Sequence, residues 1–175
     1  DSAIPDHNYF HELSRVSNNQ IIWGGNYFTN HLPPSKGWIF WDKLISEELS
    51  FSSGELAWSS FDMALKRVKI LGTGNNDGSN SGRLKGKIHP TQKPVALYKW
   101  LLSNYANEGD LILDTHVGSA SSLIACEDKG FNYIGCELDP DYFRKASERL
   151  AKFRQQPKLF TPASAQKEAM QTNLF

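Results

Sequence analysis

The sequence predicts an α/β fold built on a doubly wound, mostly parallel sheet, and three observations predict it. "DLILD" (110–114) and "NYIGCELD" (132–139) are short apolar runs ending in acids, of the kind buried on both faces of a parallel sheet. Between them "SASSLIACEDKG" (119–130) has helical character and stops at Gly130. After them "DPDYFRKASERLAKF" (139–153) opens with Asp139 as a cap and Pro140 in the first turn. Strand, helix, strand and helix joined by short connections call for parallel pairing through a right-handed crossover.

The preceding elements follow in order. "NYFHELSRVS" (8–17) sets Tyr9, Phe10, Leu13 and Val16 at helical spacing, and "NQIIWGG" (19–25) is a short apolar strand closed by two glycines. The aromatic, turn-rich stretch beyond it predicts strands at "GWIFWDK" and "ELAWSSF". Residues 72–86, "GTGNNDGSNSGRLKG", have almost nothing to bury and read as a flexible loop. "HPTQKPVALYKWLLSNY" then places Pro94 at a first helical position, predicting a helix over about 94–105 with Val95, Leu97, Leu101 and Leu102 as its apolar face.

At 175 residues the chain is long enough for one ordinary domain. Lys plus Arg equals Asp plus Glu at 19 each, so any surface for nucleic acid must come from local patches. Cys126 and Cys136 lie in apolar segments without metal-ligand spacing, which reads as two core thiols in a reducing cytosol. His89 and His116 find no third ligand at suitable spacing, so no metal is expected. With no long apolar run or signal-like start, the reading is a soluble, cytoplasmic protein.

The turn after "LILD" carries the chemistry. In an open parallel sheet, ligands sit beyond the carboxyl ends of the strands, and the first strand-to-helix turn approaches them with backbone amides. Gly118, Ser119, Ala120 and Ser121 are small enough to allow that approach. Glu137 follows about twenty residues later, where an acid can accept hydrogen bonds from two ribose hydroxyls. An adenosine-containing cofactor is expected. With Gly118 as the single glycine of the turn, the three-glycine dinucleotide fingerprint is missing, which argues against NAD or FAD.

"HPTQKPVAL", "ILDTHVGSASSLIAC" and "YIGCELDPDYFRKASERL", with "NQIIWGGNYF" upstream, together resemble the amino-methylating DNA methyltransferases that use S-adenosylmethionine, in the beta-class motif order. The resemblance covers most of residues 4–153. By position it implies that Asp114, His116 and the amides of Gly118, Ser119, Ala120 and Ser121 hold the methionine portion of S-adenosylmethionine, Glu137 the ribose, and Thr91 with Lys93 the carboxylate end. The family's usual Asp-Pro-Phe-x-Gly-Ser-Gly reads here Asp114-Thr115-His116-Val117-Gly118-Ser119-Ala120, and alanine removes freedom at a close backbone approach. The resemblance further implies a Rossmann-like core from residues 1–29 and 88–154, a target-recognition insertion over 30–87, a C-terminal tail over 155–175, homodimers, and a bacterial or phage restriction-modification setting.

The implied activity is methyl transfer to an exocyclic base nitrogen of double-stranded DNA after base flipping. The similarity of "NQIIWGGNYF" and "HPTQKPVAL" to adenine-specific members favours adenine N6, with cytosine N4 as the alternative. In the family, an Asp/Ser-Pro-Pro-aromatic motif holds the amino group. "LPPS" (32–35) lacks both its acceptor and its aromatic, and "DPDY" (139–142) opens a helix, so no catalytic residue is assigned and the motif is expected upstream of Asp1. Lys36, Lys43, Arg67, Arg83, Lys85 and Lys87 are candidates for phosphates, and Trp38 or Trp41 for bases.

"QPKLF" (Gln156–Phe160) and the terminal "QTNLF" (Gln171–Phe175) both match Gln-x-x-Leu-Phe, which resembles the peptide by which bacterial replication proteins dock on the sliding clamp. A reading of different class stays open: a cofactor-fold homologue that binds, through its tail or otherwise, without catalysing.

Overall fold

The structure is a computed structural model that describes residues 5–45, 52–72 and 87–156. The expected loop over 72–86, with Arg83 and Lys85, and both Gln-x-x-Leu-Phe segments lie outside the described residues apart from Gly72 and Gln156. The chain divides into two compact units, Asp1–Thr73 and Gly74–Phe175.

The first unit begins with α1 (His7–Val16), capped by Asp6, whose carboxylate accepts from the Tyr9 N–H at 3.0 Å. Its buried residue, Phe10, stacks on His31 with ring centroids 5.2 Å apart. Strands β1 (Ile21–Trp23), β2 (Ile39–Asp42), β3 (Gly54–Ser59) and β4 (Lys66–Lys69) form one sheet in the order β1-β3-β2-β4. β3 pairs antiparallel with both β1 and β2, whereas β2 and β4 run parallel. β1, from the segment assigned to the core, therefore shares a sheet with strands of the 30–87 stretch. β4 is an addition to the sequence reading: in "KRVK" only Val68 is buried, so charged neighbours mask the alternation. Ile39, Trp41, Ala57, Trp58 and Val68 fill the core of this unit. Trp41, at 1% exposure with its indole N–H donating to the Ile70 carbonyl at 2.8 Å, is a core residue and not the base contact suggested for it.

The second unit runs α2 (Val95–Tyr105), β5 (Leu111–Asp114), α3 (Ser121–Lys129), β6 (Asn132–Gly135) and α4 (Pro140–Gln155). β5 and β6 are parallel, with Asp114 opposite Gly135, so the expected strand–helix–strand unit is present. α2 starts one residue later than expected because Pro94 is the extended cap residue, at φ −64° and ψ 141°. Leu102, Ala125 and Cys126 make one core cluster with Ile112 and Tyr133; Val117, Ala120, Leu123 and Ala146 make a second.

Two expectations need correction here. The β5–β6 pair is not buried on both faces: Ile112 and Tyr133 turn to the helices, while Leu111 is 60% and Ile134 51% exposed. The period-2 alternation sends those side chains to a face that α2 and α3 leave open. Nor are both cysteines core thiols. Cys126 is buried, but Cys136 follows β6 at its end and is exposed. No helix among the described residues is long and apolar enough to cross a membrane.

Candidate functional site

Three separate stretches of the second unit converge on the turn between β5 and α3. The turn is held from below by Asp114, the last residue of β5. Its carboxylate accepts from the His116 N–H at 2.9 Å through one oxygen and from the Ser122 hydroxyl through the other. From the side it is held by Glu137, which accepts from the Gly118 N–H at 2.7 Å and from the Asp139 N–H at 3.0 Å. Glu137 thus joins the turn to the end of β6.

The backbone of this turn needs residues that tolerate positive φ. Gly118 sits at φ +52° and Ala120 at +61°. A side chain on Gly118 would also bring a Cβ to 3.3 Å from the His89 ring. Positive φ and the close packing of the imidazole on bare backbone together favour glycine at this position. Ala120 caps α3 in the left-handed conformation with its methyl fully buried, and so delays the helix to Ser121.

The third stretch is "HPTQK". His89 packs edge-on against Tyr142 of α4, ring centroids 4.4 Å apart. Its Nδ1 accepts from the Thr91 N–H at 3.3 Å and lies 3.1 Å from the Thr91 hydroxyl, which leaves the proton of the neutral ring on Nε2. Burial lowers the His89 pKa; the Glu137 carboxylate opposes that shift, and Lys93 adds to it. Gln92, which the sequence reading passed over, is buried and closes the segment by accepting from the Ile88 N–H at 3.0 Å.

The anticipated residues thus fall into distinct positions. Gly118 donates to Glu137, and Asp114 accepts from the His116 N–H and the Ser122 hydroxyl, while the His116 side chain is exposed beside Thr115. Ser119 and Ser121 are buried, their hydroxyls 3.0 Å apart. Thr91 is exposed and Lys93 half-buried, both in the His89 segment. Sequence reasoning missed His89 as a packing partner, having considered it only as a metal ligand; among the described residues no group of three metal-ligating side chains occurs. It also missed Arg149, which reaches the turn from α4. The "DPDY" reading stands: the Asp139 carboxylate accepts from the Asp141 and Tyr142 N–H groups.

In the first unit the basic candidates are engaged with acids. Lys36 pairs with Asp62 at 2.8 Å, Lys43 with Glu55 at 3.0 Å, and Arg67 with Asp42. Trp38 donates its indole N–H to the Ser35 carbonyl at 3.0 Å, and Lys87, the first described residue of the second unit, is exposed.

Comparison with known proteins gives this geometry a context. The chain is 42% identical over 64 residues to the type II methyltransferase M.HpaI of Haemophilus parainfluenzae, covering 37% of this chain and 20% of that protein. It is 37% identical over 62 residues to the DNA adenine methyltransferase YhdJ of Escherichia coli (strain K12), covering 35% of this chain and 21% of that protein. The chain therefore spans about a fifth of the length of these curated relatives. The crystal structure of the M1.HpyAVI–SAM complex superposes with a TM-score of 0.62 at 22% identity, over 82% of this chain and 81% of that one. This likeness establishes the Rossmann-like α/β fold of methyltransferases. A family model described as DNA methylase, for N6 and N4 methyltransferases, matches residues 14–148, and the chain belongs to that family.

Proposed function

We propose that this chain forms the cofactor-holding part of a DNA methyltransferase that uses S-adenosylmethionine and acts on an exocyclic amino nitrogen, adenine N6 in preference to cytosine N4. The observation that carries the reading is the convergence on Gly118: its N–H bonds Glu137, and its bare Cα packs on His89 of the "HPTQK" segment. The fit to an adenosine-bearing ligand rests on Glu137. Its carboxylate accepts two backbone N–H groups, and a carboxylate has about four lone-pair positions, so two vicinal hydroxyls can still be accepted.

In this reading Glu137 holds the ribose and Thr91 with Lys93 hold the carboxylate. The Gly118 and Ala120 N–H groups are bonded within the chain to Glu137 and to the Val117 carbonyl, so Asp114 and the remaining backbone groups from Gly118 to Ser121 hold the methionine portion. The cofactor, when bound, supplies a methyl group activated by a positive sulfonium. The residues of this chain bind and orient; the proton that the amine loses on methylation passes to the hydrogen-bond acceptors that hold the amino group, which are not assigned to this chain. Orientation of this kind is what a direct transfer chiefly requires.

The acceptor amine needs its lone pair drawn out of conjugation by hydrogen-bond acceptors. The Asp/Ser-Pro-Pro-aromatic motif for that task is absent from the 175 residues, and the proposal assigns it to a segment outside this sequence. Base flipping at a cost of a few kcal/mol precedes transfer. The adenine preference is supported by the similarity to the E. coli adenine methyltransferase. The basic and aromatic residues Lys36, Trp38, Lys43, Arg67 and Lys87 are proposed to face DNA, the three with acid partners exchanging them for phosphates.

Equilibrium dialysis of the chain with radiolabelled S-adenosylmethionine tests the cofactor reading. Retention of the label, displaced by S-adenosylhomocysteine and untouched by NAD, is the expected result. Equal displacement by NAD, or no retention, would contradict it.

A further inference from the structure

Arg149 lies on α4, far in sequence from the β5–α3 turn, yet its guanidinium enters it. One terminal nitrogen, Nη1, donates to the Ser119 carbonyl at 2.6 Å and to the Ser121 hydroxyl at 2.9 Å. Among the described residues no carboxylate forms an ion pair with this arginine. A cation withdrawn from water ordinarily needs an acid partner, and a carbonyl with a hydroxyl is a weaker substitute. Burial accordingly lowers the Arg149 pKa.

The acceptor is well chosen for control of the turn. The Ser119 carbonyl belongs to the peptide plane that joins Ser119 to Ala120. Rotation of that plane is the motion that would carry Ala120 from φ +61° back to the right-handed region, which a non-glycine residue prefers. Holding the carbonyl holds the plane. The Ser121 hydroxyl, also bonded to Ser119 at 3.0 Å, fixes the first residue of α3 in the same arrangement.

We propose that Arg149 is a positioning residue: it clamps the Ser119–Ala120 peptide so that the turn, with an alanine where the related motif has glycine, keeps the left-handed form that presents its backbone to the cofactor. The inference rests on the cofactor reading above for its ligand, but the clamp itself is measurable without ligand. It also accounts for how alanine is tolerated at position 120. A turn that adopts its competent form only part of the time binds ligand in proportion to that fraction, so loss of the clamp weakens binding without removing any ligand contact.

Hydrogen exchange of the ligand-free chain and titration with S-adenosylmethionine test this together, on Arg149→Met, Arg149→Lys and each combined with Ala120→Gly. Arg149→Met is expected to speed exchange at residues 118–121 at least about tenfold while α2 and the later turns of α3 stay protected. Arg149→Lys, with charge kept and the planar fork lost, is expected to fall between wild type and Met. The dissociation constant is expected to rise about tenfold in Arg149→Met, and by less than about threefold when position 120 is glycine, since glycine takes positive φ at no steric cost. Unchanged exchange at 118–121 in both variants would overturn the clamp. Equal affinity losses with alanine and glycine at 120 would overturn it as well, leaving Arg149 as fold support. If the unsubstituted chain takes up no S-adenosylmethionine while exchange responds as expected, the cofactor reading fails and the clamp stands.

Discussion

The backbone N–H of Gly118 donates to the Glu137 carboxylate at 2.7 Å, so that the turn leaving β5 and the segment leaving β6 are one hydrogen-bonded unit. The relationship places an acid and a bare backbone where parallel sheets bind ligands, and it makes both residues sensitive to substitution.

Gly118→Ala meets two penalties. Positive φ costs an L-residue roughly 1–2 kcal/mol, and the added Cβ would press on the His89 ring at 3.3 Å. A loss of about 2 kcal/mol in unfolding free energy is expected from chemical denaturation. Ala120→Gly should be close to neutral by contrast: relief of roughly 1–2 kcal/mol of strain is offset by the loss of a buried methyl, about 0.8 kcal/mol, and by about 0.4–1 kcal/mol of added unfolded-state entropy.

The open face of the β5–β6 pair predicts an asymmetry between neighbours. Leu111→Lys changes an exposed side chain and should shift stability by no more than about 0.5 kcal/mol. Ile112→Ala removes packing against the cluster of Leu102, Ala125 and Cys126 and should cost roughly 2–4 kcal/mol. Denaturation of the two variants checks this, and equal losses would restore the reading in which both faces are buried.

His89 links the turn to pH. Its pKa is lowered in the folded chain, mainly by burial, so the unfolded chain binds the proton more readily. The neutral ring favours folding fully above the unfolded value of about 6.5; that stability is lost as pH falls from there through the lowered folded value. His89→Asn should flatten this part of the stability–pH curve, as measured by denaturation at several pH values.

The two cysteines should differ in reactivity. Burial, with Asp114 and Glu127 adding, pushes the Cys126 thiol up to about 11, while Cys136 is exposed. At pH 8 a thiol of that pKa is ionised to about one part in a thousand. Iodoacetamide on the folded chain should give a single adduct at Cys136 by peptide mass spectrometry, and a second at Cys126 only on unfolding.

What the sequence made legible was local. Asp139 and Pro140 announce the start of α4, Gly130 the end of α3, and the small residues after Asp114 the turn, because caps and positive φ depend on nearby residues alone. The place of Glu137 beyond the end of β6, beside the turn, was legible through spacing. Arg149 was not, since nothing in "ASERL" indicates which of its side chains crosses to a turn about thirty residues earlier. The exposure of Leu111 and Ile134 was hidden for a related reason: apolar runs state preference for burial, while the number of covering layers is a tertiary property. β4 escaped because three charges surround its one buried valine.

The central claim is that Glu137 and the Gly118 turn hold S-adenosylmethionine, and a calorimetric titration of the chain with Glu137→Ala as its partner tests it most directly. Saturable binding, weakened roughly 10–100-fold by the substitution as expected for lost hydrogen bonds to a charged acceptor, is the predicted result. Binding of equal strength in both proteins, or no saturable heat from the unsubstituted chain, would contradict it.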